Sequence, residues 1–448
     1  MLTDFDLQGS IHRRVLQQIL TSVIDAIDPK ELTSRALSTR LSKLTNLKAY
    51  RRVMVLGLGK AAIPMALAAE EFFDTNLSSG LVVTRRGDLA GADRLTTIDV
   101  AEGDHPVPSE ESADAARRLL ERAEGAGPDD LVICLISGGG SALTTLPAPG
   151  LTVDDLRRTT DILLSCGADI VEFNALRKHL SAFSGGRLAR AIHPARQVTL
   201  ILSDVVGNPL DVIASGPTVA DPTTFDDALK VVEKYELANR LPAAVVDHLR
   251  AGAAGRVDET PGEDSKCFED GALFVVGDNK LAAQAAAEAA EAQGWNARIL
   301  TTFMEGEARE LGKFAVSLGR EAAHHQRPAA PPACLILSGE STVTLRGDGK
   351  GGRNQELALA ALCSLRGAPN IAVATFATDG VDGPTTAAGA IADEFTWRRT
   401  TERAVDPEKF LRANDSHSFF ELTGDLIESG PTGSNLNDLV LIFVTESS

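Results

Sequence analysis

Short aliphatic runs alternate along the chain with longer segments in which apolar residues recur at helical spacing. Nearly every run ends in a cluster of Gly, Ser or Asp. Alternation of strands with amphipathic helices is typical of parallel α/β proteins. The pattern therefore predicts a parallel α/β fold, preceded by a helical region over residues 10–45. The predicted strands span residues 52–59, 81–84, 130–137, 198–204, 273–278, 333–339, 371–380 and 438–444.

The length of 448 residues indicates more than one domain, because single hydrophobic cores rarely grow so large. Residues 251–271 mix Gly, Pro and acidic residues without any period, as a linker or surface loop does. We therefore predict an N-terminal domain over residues 1–255 and a second α/β domain over residues 265–448.

The acidic composition excludes some partners. A formal net charge of −18 argues against binding to nucleic acid or to an anionic membrane, since both require a positive surface. The N-terminal residues lack a basic segment followed by an apolar run, and the five cysteines form no CxxC pair. These features predict a cytoplasmic protein without a membrane partner, and a homodimer is compatible with them.

Residues 57–62, Gly-Leu-Gly-Lys-Ala-Ala, follow the first predicted strand and open a helix. This arrangement matches the G-x-G-x-x-[G/A] pattern of dinucleotide-binding, Rossmann-like domains. However, Thr84, Arg85 and Arg86 stand where an acidic residue would hold the ribose. Lys60 within the turn suits a phosphate oxygen better than a nicotinamide cofactor. The alternative is a tight turn with a solvated lysine.

Two further strand ends in this half carry candidate chemistry. Ser137, Gly138, Gly139, Gly140 and Ser141 leave a buried strand, and consecutive glycines allow backbone N–H groups to surround an anion. The loop does not match the Walker A pattern and is on its own also compatible with plain flexibility. Asp204 follows another apolar strand and could hold Mg²⁺ or act as a general base.

The densest basic cluster of this acidic chain lies in a predicted helix. Helical spacing places Asn174, Arg177 and Lys178 near one face. Such a face could hold the carboxylate of a small acid, although spacing alone favours an ordinary solvated face.

The C-terminal half contains a second glycine-rich loop. Gly351 and Gly352 lead through Arg353 and Asn354 into a helix, which together predicts an anion site. Glu340 lies at the end of the preceding strand. Asp379 lies in a turn with a second carboxylate, as a metal site requires, although a capping role explains either carboxylate singly. Thr432 belongs to a polar loop suited to phosphate contact.

Taken in order, these motifs resemble the glycerate kinase family that carries the MOFRL domain, from about residue 15 to the end. The resemblance is carried by the segments GLGKAA, GDHPVP, LISGGGSAL, EFNALRKHLS, LSDVVGN, ASGPTVADPTTF, GGRNQE, ATDGVDGPTTAAGA and GPTGSNLNDL. It implies a Rossmann-like N-terminal domain, a MOFRL region at about 330–445, and an active site in the cleft between domains. It also implies ATP and Mg²⁺ as cosubstrates, D-glycerate as substrate and 2-phosphoglycerate as product. Lys60 and Arg353 are then the residues expected in catalysis.

Phosphoryl transfer needs positioning and neutralisation of charge, so we expect Lys60 and Arg353 to flank the migrating group. Asp204 or Asp379 would position Mg²⁺ or the glycerate hydroxyl, with Asp204 also a catalytic candidate. A hydroxypyruvate reductase binding NADPH through Arg85 or Arg86 is the alternative activity, and a sensor without turnover is a third. The phosphate contacts are expected from Gly59, Ser137, Gly138, Gly139, Gly140, Ser141, Gly351, Gly352, Asn354 and Thr432. The glycerate contacts are expected from Asn174, Arg177, Lys178 and Glu340.

Overall fold

The computed structural model describes residues 11–366 and 368–446, and these form two compact units. The N-terminal unit comprises residues 29–276; the C-terminal unit comprises the described residues up to 28 and those from 277 onward. The predicted two-domain α/β organisation is confirmed, and its division differs at two points. Helix α1 (Ile11–Ala26) belongs to the C-terminal unit, and the boundary falls at residues 276/277 instead of 255–265.

The N-terminal unit contains a six-stranded sheet surrounded by helices. Its strands are β1 (Arg52–Leu58), β2 (Leu77–Arg85), β3 (Ile98–Gly103), β4 (Asp130–Ile136), β5 (Arg196–Leu202) and β6 (Ala272–Gly277). Its helices are α2 (Pro29–Ala36), α3 (Ser42–Leu44), α4 (Ala62–Phe73), α5 (Glu110–Glu124), α6 (Gly140–Leu143), α7 (Val153–Cys166), α8 (Ile170–His179), α9 (Arg187–Ile192), α10 (Phe225–Lys234) and α11 (Ala243–Ala253).

The strand order of this sheet is β3-β2-β1-β4-β5-β6, and the pairs β1–β2, β2–β3, β1–β4 and β4–β5 are parallel. This is the order of a Rossmann-like sheet, as predicted. Strand β6 completes it, which explains why the unit extends past the Gly- and Pro-rich segment. The order reverses between β1 and β4, so a crevice is expected at the carboxyl ends of these two strands.

Local capping determines where the helices of this unit begin. Asp169 accepts hydrogen bonds from the N–H groups of Val171 and Glu172, both at 2.9 Å, and thereby starts α8. Gly167 ends α7 in the left-handed conformation that suits glycine. Helix α8 thus starts at a defined residue and carries Asn174, Arg177 and Lys178 in register.

The C-terminal unit contains a second six-stranded sheet. Its strands are β7 (Asn296–Glu307), β8 (Ala333–Thr342), β9 (Ile371–Ala377), β10 (Gly389–Ala392), β11 (Leu426–Ile427) and β12 (Asp438–Val444). Besides α1, its helices are α12 (Asn279–Ala292), α13 (Ala308–His325), α14 (Arg353–Leu365), α15 (Glu394–Glu402), α16 (Pro407–Arg412) and α17 (Ser416–Thr423).

The predicted parallel pairing is wrong for this second sheet, whose order is β11-β10-β9-β12-β8-β7. Among the described strands of this sheet, β7 and β8 alone pair in parallel, whereas β8–β12, β9–β12, β9–β10 and β10–β11 are antiparallel. Strands β8, β9 and β12 are buried almost throughout, so their sequences are continuously apolar and do not reveal the direction of pairing.

Helix α1 is attached to the C-terminal unit by a buried ion pair. The guanidinium of Arg13 contacts the carboxylates of Asp393 at 2.8 Å and Asp425 at 2.6 Å, and all three side chains are at most 1% exposed. These contacts explain why the first helix belongs with residues far along the chain. Among the helices of the described ranges, none combines the length and apolar content that crossing a membrane requires.

Candidate functional site

Lys60 lies in the turn between β1 and α4, beside the point at which the strand order reverses. Its backbone N–H donates to the Gly138 carbonyl at 2.9 Å, and the Ala61 N–H donates to Ser137 Oγ at 3.0 Å. These bonds join the turn to the loop that follows β4. Over the described part of the chain the Lys60 ammonium forms no ion pair. Its charge is therefore available to an anion at the switch point.

Residues 137–141 are here called the glycine loop. Its first residue packs inside the unit, and the residues that follow offer backbone N–H donors. Gly59 has a φ of 121°, and an added Cβ would lie 2.2 Å from Ser137 Oγ, so Ser137 fills the space beside the turn. Ser137 thus braces the fold, whereas a phosphate contact was predicted. The N–H groups of Gly139, Gly140 and Ser141 donate to no acceptor within the described ranges. Three such donors suit an anion.

Asp204 follows β5 and packs against the glycine loop. A Cβ added to Gly138 would lie 2.0 Å from Asp204 Oδ2, so glycine is required for the carboxylate to occupy this position. On the next residue, Gly139, an added Cβ would lie 3.4 Å from both Cγ and Cε of Lys60. The structure therefore brings Lys60 and Asp204, predicted from separate strand ends, to neighbouring residues of one loop.

Arg177 borders a pocket that also begins at the glycine loop. Its guanidinium lies over the Phe173 ring, 4.5 Å from the centroid. Burial lowers the pKa of Arg177 to about 10, so the group remains charged at neutral pH. Within the described residues it has no carboxylate partner. The pocket, here called the Arg177 pocket, is lined by Pro106, Pro108, Ser141, Ala142, Thr145, Leu156, Thr159, Thr160, Leu163, Phe173, Arg177 and Leu180.

Asn174 lies behind this pocket in a chain of polar side chains. Its Nδ2 donates to the Ile170 carbonyl at 3.0 Å, and its Oδ1 accepts from Ser215 Oγ at 3.2 Å. Ser215 Oγ in turn lies 2.8 Å from Ser141 Oγ. Asn174 is buried and supports the two serine hydroxyls.

Ser215 is held in a strained conformation. Ala214, Ser215 and Gly216 have φ values of 51°, 58° and 57°, and the left-handed region costs a non-glycine residue about 1 kcal/mol or more. The carbonyls of Ser215 and Gly216 accept hydrogen bonds from Gly185 (2.9 Å) and Gly186 (2.7 Å). These bonds hold the segment in place and direct the Ser215 hydroxyl to Ser141.

Lys178 lies outside this arrangement. Its side chain is 1% exposed, and its ammonium pairs with Asp221 at 2.7 Å and Asp211 at 3.2 Å. Because both contacts are internal, the Lys178 charge stabilises the fold. Of the two cations expected to contact a substrate carboxylate, Arg177 is therefore the one that borders a pocket.

In the C-terminal unit, Arg353 is fixed by carboxylates. Its Nε and one terminal nitrogen donate to both oxygens of Asp438 at 2.6 and 3.2 Å, and its other terminal nitrogen pairs with Glu340. The Arg353 side chain is 30% exposed, whereas Asp438 is 2% exposed. Burial opposes the charge on Arg353, but the two carboxylates outweigh it and raise its pKa. Glu340, expected to contact substrate, orients Arg353 instead.

The start of helix α14, which follows Gly352, was predicted to bind an anion but already contacts a carboxylate of the protein. The N–H groups of Asn354 and Gln355 donate to the two oxygens of Asp382 at 3.0 and 2.9 Å. A Cβ added to Gly352 would lie 2.3 Å from Asp382 Cγ. The predicted phosphate site of Gly351, Gly352 and Asn354 is thus already filled by a carboxylate of the same unit, which sequence alone did not reveal.

Asp379 and Thr432 lie in two loops that are joined by hydrogen bonds. Asp379 Oδ1 accepts the N–H of Val381 at 3.0 Å, and its carbonyl accepts the N–H of Thr432 at 3.1 Å. The Thr432 hydroxyl donates to the Thr378 carbonyl at 2.6 Å and so closes the loop. Asp379 is only half-buried, whereas Thr432 has a structural hydrogen bond.

Two family models match this chain: a domain of unknown function, DUF4147, over residues 15–250, and the MOFRL family over residues 333–438. The glycerate 2-kinase of Pyrococcus horikoshii is 40% identical over 97% of both chains. The chain belongs to the glycerate kinase family. The crystal structure of the Thermotoga maritima glycerate kinase matches with a TM-score of 0.87 and 38% identity, over 97% of this chain and 99% of that one. A protein of Agrobacterium vitis provisionally named hydroxypyruvate reductase is 40% identical over 96% of this chain and 94% of its own.

In this member of the glycerate kinase family, the turn at residues 57–62 lacks support as a dinucleotide site. Gly57 lies within β1, and the space beside Gly59 is filled by Ser137 rather than left for a pyrophosphate. Arg85 pairs with Asp88 at 3.0 Å, and Arg86 pairs with Asp104 at 2.8 Å. The two arginines considered for a 2′-phosphate thus have carboxylate partners, so the geometry favours a phosphate site over a nicotinamide site.

The sequence reasoning missed two residues that lie at the site. His105, in the segment GDHPVP, contacts the glycine loop, and Ser215, in ASGPTV, contacts Ser141. Both lie in segments that carried the family resemblance, but no residue pattern assigned them a role. Ser215 had only turn chemistry to indicate it, since its strained φ is a property of the folded chain.

Proposed function

We propose that this protein transfers the γ-phosphoryl group of ATP to the 2-hydroxyl of D-glycerate, giving 2-phosphoglycerate and ADP. The observation that carries the proposal lies at the switch point: within the described residues, the Lys60 ammonium has no ion-pair partner and lies beside three N–H groups of the glycine loop that donate to no acceptor. Two relatives at 39–40% identity are named glycerate 2-kinase and D-glycerate 2-kinase. These names support the choice of substrate and of the 2-position.

Lys60 is proposed to neutralise charge on the migrating phosphoryl group, and Arg353 is the proposed catalytic residue of the C-terminal unit. The transition state of phosphoryl transfer spreads charge over three equatorial oxygens, so fixed cations are the main contribution a protein can make. Arg353 is preorganised because Asp438 and Glu340 fix its planar fork, and 30% of its side chain remains exposed. The N–H groups of Gly139, Gly140 and Ser141 would hold phosphate oxygens.

Mg²⁺ is proposed to bind with ATP, and the residues present fit it. Asp204 lies against Gly138, so its carboxylate would stand next to a polyphosphate held by the glycine loop. The Asp204 carboxylate and a neighbouring polyphosphate would repel each other unless a cation lay between them. Mg²⁺ is commonly held by one or two carboxylates together with substrate phosphates and water, and it shields phosphate charge. Asp204 is the proposed protein ligand, and Asp379 is the candidate in the C-terminal unit.

Arg177 is proposed to bind the carboxylate of glycerate. The Arg177 pocket is small and contains hydroxyl groups beside apolar walls, as a three-carbon hydroxy acid requires. A substrate carboxylate would compensate a guanidinium that has lost hydration without gaining a carboxylate partner among the described residues. The carboxylate would then lie near Ser141, which belongs to the same glycine loop as the phosphate donors.

Replacing Arg177 with Met should raise the KM for D-glycerate about 10- to 100-fold, because a charge-assisted hydrogen bond of roughly 1.5–3 kcal/mol is lost. The KM for ATP should not change. Thermal stability should stay the same or rise, since a partly buried charge that has no carboxylate partner among the described residues is removed. Steady-state kinetics and thermal melts provide the measurements.

Arg187→Met is the matched control. Burial also lowers the pKa of Arg187 to about 10, but its guanidinium donates to the Lys178 carbonyl at 2.9 Å. Its loss should therefore lower stability and leave the KM for glycerate unchanged. If both variants changed the glycerate KM equally, the assignment of Arg177 would be refuted.

The proposed function is tested with the purified full-length protein, D-glycerate, ATP and Mg²⁺, with the product isomer identified by phosphorus NMR. A parallel assay supplies hydroxypyruvate and NADPH. We expect 2-phosphoglycerate to accumulate, to stop when EDTA removes the metal, and NADPH to remain unoxidised. Formation of 3-phosphoglycerate alone would refute the 2-position, and oxidation of NADPH without phosphoryl transfer would refute the kinase.

A further inference from the structure

His105 lies at the glycine loop, although it belongs to the segment after β3, which is separated from β4 by two strands of the sheet. A Cβ added to Gly139 would lie 3.2 Å from His105 Cδ2 and 3.4 Å from Lys60 Cε. The imidazole and the lysine side chain therefore contact the same point of the loop. Gly103, two residues earlier, packs against Leu143 of α6, where an added Cβ would lie 2.4 Å from its carbonyl oxygen. This contact anchors the segment that carries His105.

The imidazole of His105 is half-buried, and its two ring nitrogens are not engaged by the described part of the fold. Across residues 11–366 and 368–446, neither ring nitrogen has a hydrogen-bond partner. By comparison, the ring of His179 in the same unit contacts the Ala175 carbonyl at 2.7 Å and Glu259 at 2.8 Å. Neither His105 nitrogen is among the fully buried unbonded atoms of the described residues, so both are accessible to a ligand or to water.

Three influences act on this ring in the same direction. Burial, Lys60 and Arg85 lower the pKa of His105 to about 4. The ring is therefore neutral at physiological pH, with one nitrogen able to accept a hydrogen bond from a hydroxyl group. A protonated imidazole next to Lys60 could only donate, so neutrality is a condition for such an acceptor.

The next residues connect His105 to the Arg177 pocket. Pro106 and Pro108 line it together with side chains of α7 and α8. A small hydroxy acid held there by Arg177 would therefore be next to the residue that precedes Pro106. Lys60, proposed to contact the migrating phosphoryl group, lies beside the same residue of the glycine loop as this imidazole.

We propose that His105 is a catalytic residue whose neutral imidazole accepts a hydrogen bond, and finally the proton, from the attacking 2-hydroxyl of glycerate. In this step the hydroxyl oxygen forms a bond to the γ-phosphorus, and the bond from that phosphorus to the β,γ-bridging oxygen breaks. ADP leaves with those bonding electrons, and the hydroxyl proton passes to the imidazole, which later releases it to solvent. The inference rests on the proposed function. It separates the roles of two groups: His105 contacts the hydroxyl, and Asp204 is left for the metal.

The test measures kcat and both KM values for His105→Ala and His105→Gln, with and without added imidazole. We expect His105→Ala to lower kcat by about 10²-fold or more, the usual contribution of a positioned base, with the KM for ATP unchanged. Imidazole should restore part of the activity, and the restored rate should follow the concentration of its neutral form as pH is varied. His105→Gln should remain slow, because an amide does not take up the proton.

His193→Ala is the matched control, since His193 is also followed by proline but is exposed at the end of α9. It should keep full kcat and show no response to imidazole. Retained kcat in His105→Ala, full activity of His105→Gln, or loss of kcat without rescue in a variant that melts like wild type would overturn the proposal. If His105→Ala does not fold, the kcat of His105→Gln decides. A wild-type protein without kinase activity would instead refute the proposed function itself.

Discussion

Replacing Lys60 with Met is expected to lower kcat by about 10²- to 10³-fold, the usual cost of losing one preorganised charge at a transition state. Stability should change by no more than about 0.5 kcal/mol, because the ammonium has no ion-pair partner in the described structure and its loss leaves no carboxylate unpaired. Methionine retains most of the aliphatic chain that contacts Gly139. Steady-state kinetics and thermal melts measure the two effects.

Lys230→Met is the control for Lys60. Lys230 lies in the same unit, is 72% exposed and pairs with Asp227 on the surface. Its replacement should leave kcat and melting temperature near those of the wild type, since exposed pairs contribute little. Wild-type kcat in Lys60→Met, or loss of activity only in proportion to loss of folded protein, would contradict the role assigned to Lys60.

Replacing Arg353 with Met is expected to lower both kcat and stability. The stability loss should be about 3 kcal/mol, because the buried carboxylate of Asp438 is left without its cation. Burial already raises the pKa of Asp438 to about 7, against the opposing charge of Arg353, and removing that charge raises it further. A carboxyl group with a raised pKa binds more protons when folded, so the free energy of unfolding falls as pH rises towards that pKa. The difference from wild type should therefore grow between pH 5.5 and pH 8, as urea denaturation at several pH values would measure.

Arg309→Met separates the structural part of this effect from the catalytic part. Arg309 pairs with the buried Glu356 of α14 at 2.5 Å, in the same unit as Arg353. Its loss should cost comparable stability but leave the kcat of the folded enzyme unchanged. If Arg353→Met retained kcat at low temperature, where both variants are folded, Arg353 would be only structural.

The sequence predicted the strands whose apolar runs are continuous, including the half-buried edge strand β6, and missed those whose runs are interrupted or short. All eight predicted runs are strands, whereas β3 and β7, at the edges of their sheets, were missed. Both have exposed or half-exposed positions along their length, so their apolar runs are interrupted. Strands β10 and β11 were too short to produce a pattern.

Of the candidate site, the sequence by itself determined which loops matter: Lys60, the glycine loop and Asp204 follow strands whose carboxyl ends lie together in any parallel sheet. Only the tertiary structure determined which of two adjacent candidate residues borders a ligand pocket and which is paired inside the fold. Arg177 borders a pocket and Lys178 is paired internally, although one residue separates them. Likewise Asp382 fills the helix start expected to bind phosphate, and His105 reaches a loop that follows a different strand. The pairing of Lys178, the position of Asp382 and the position of His105 depend on partners 27 or more residues away, whereas the pattern of a single segment reports only its own period and burial.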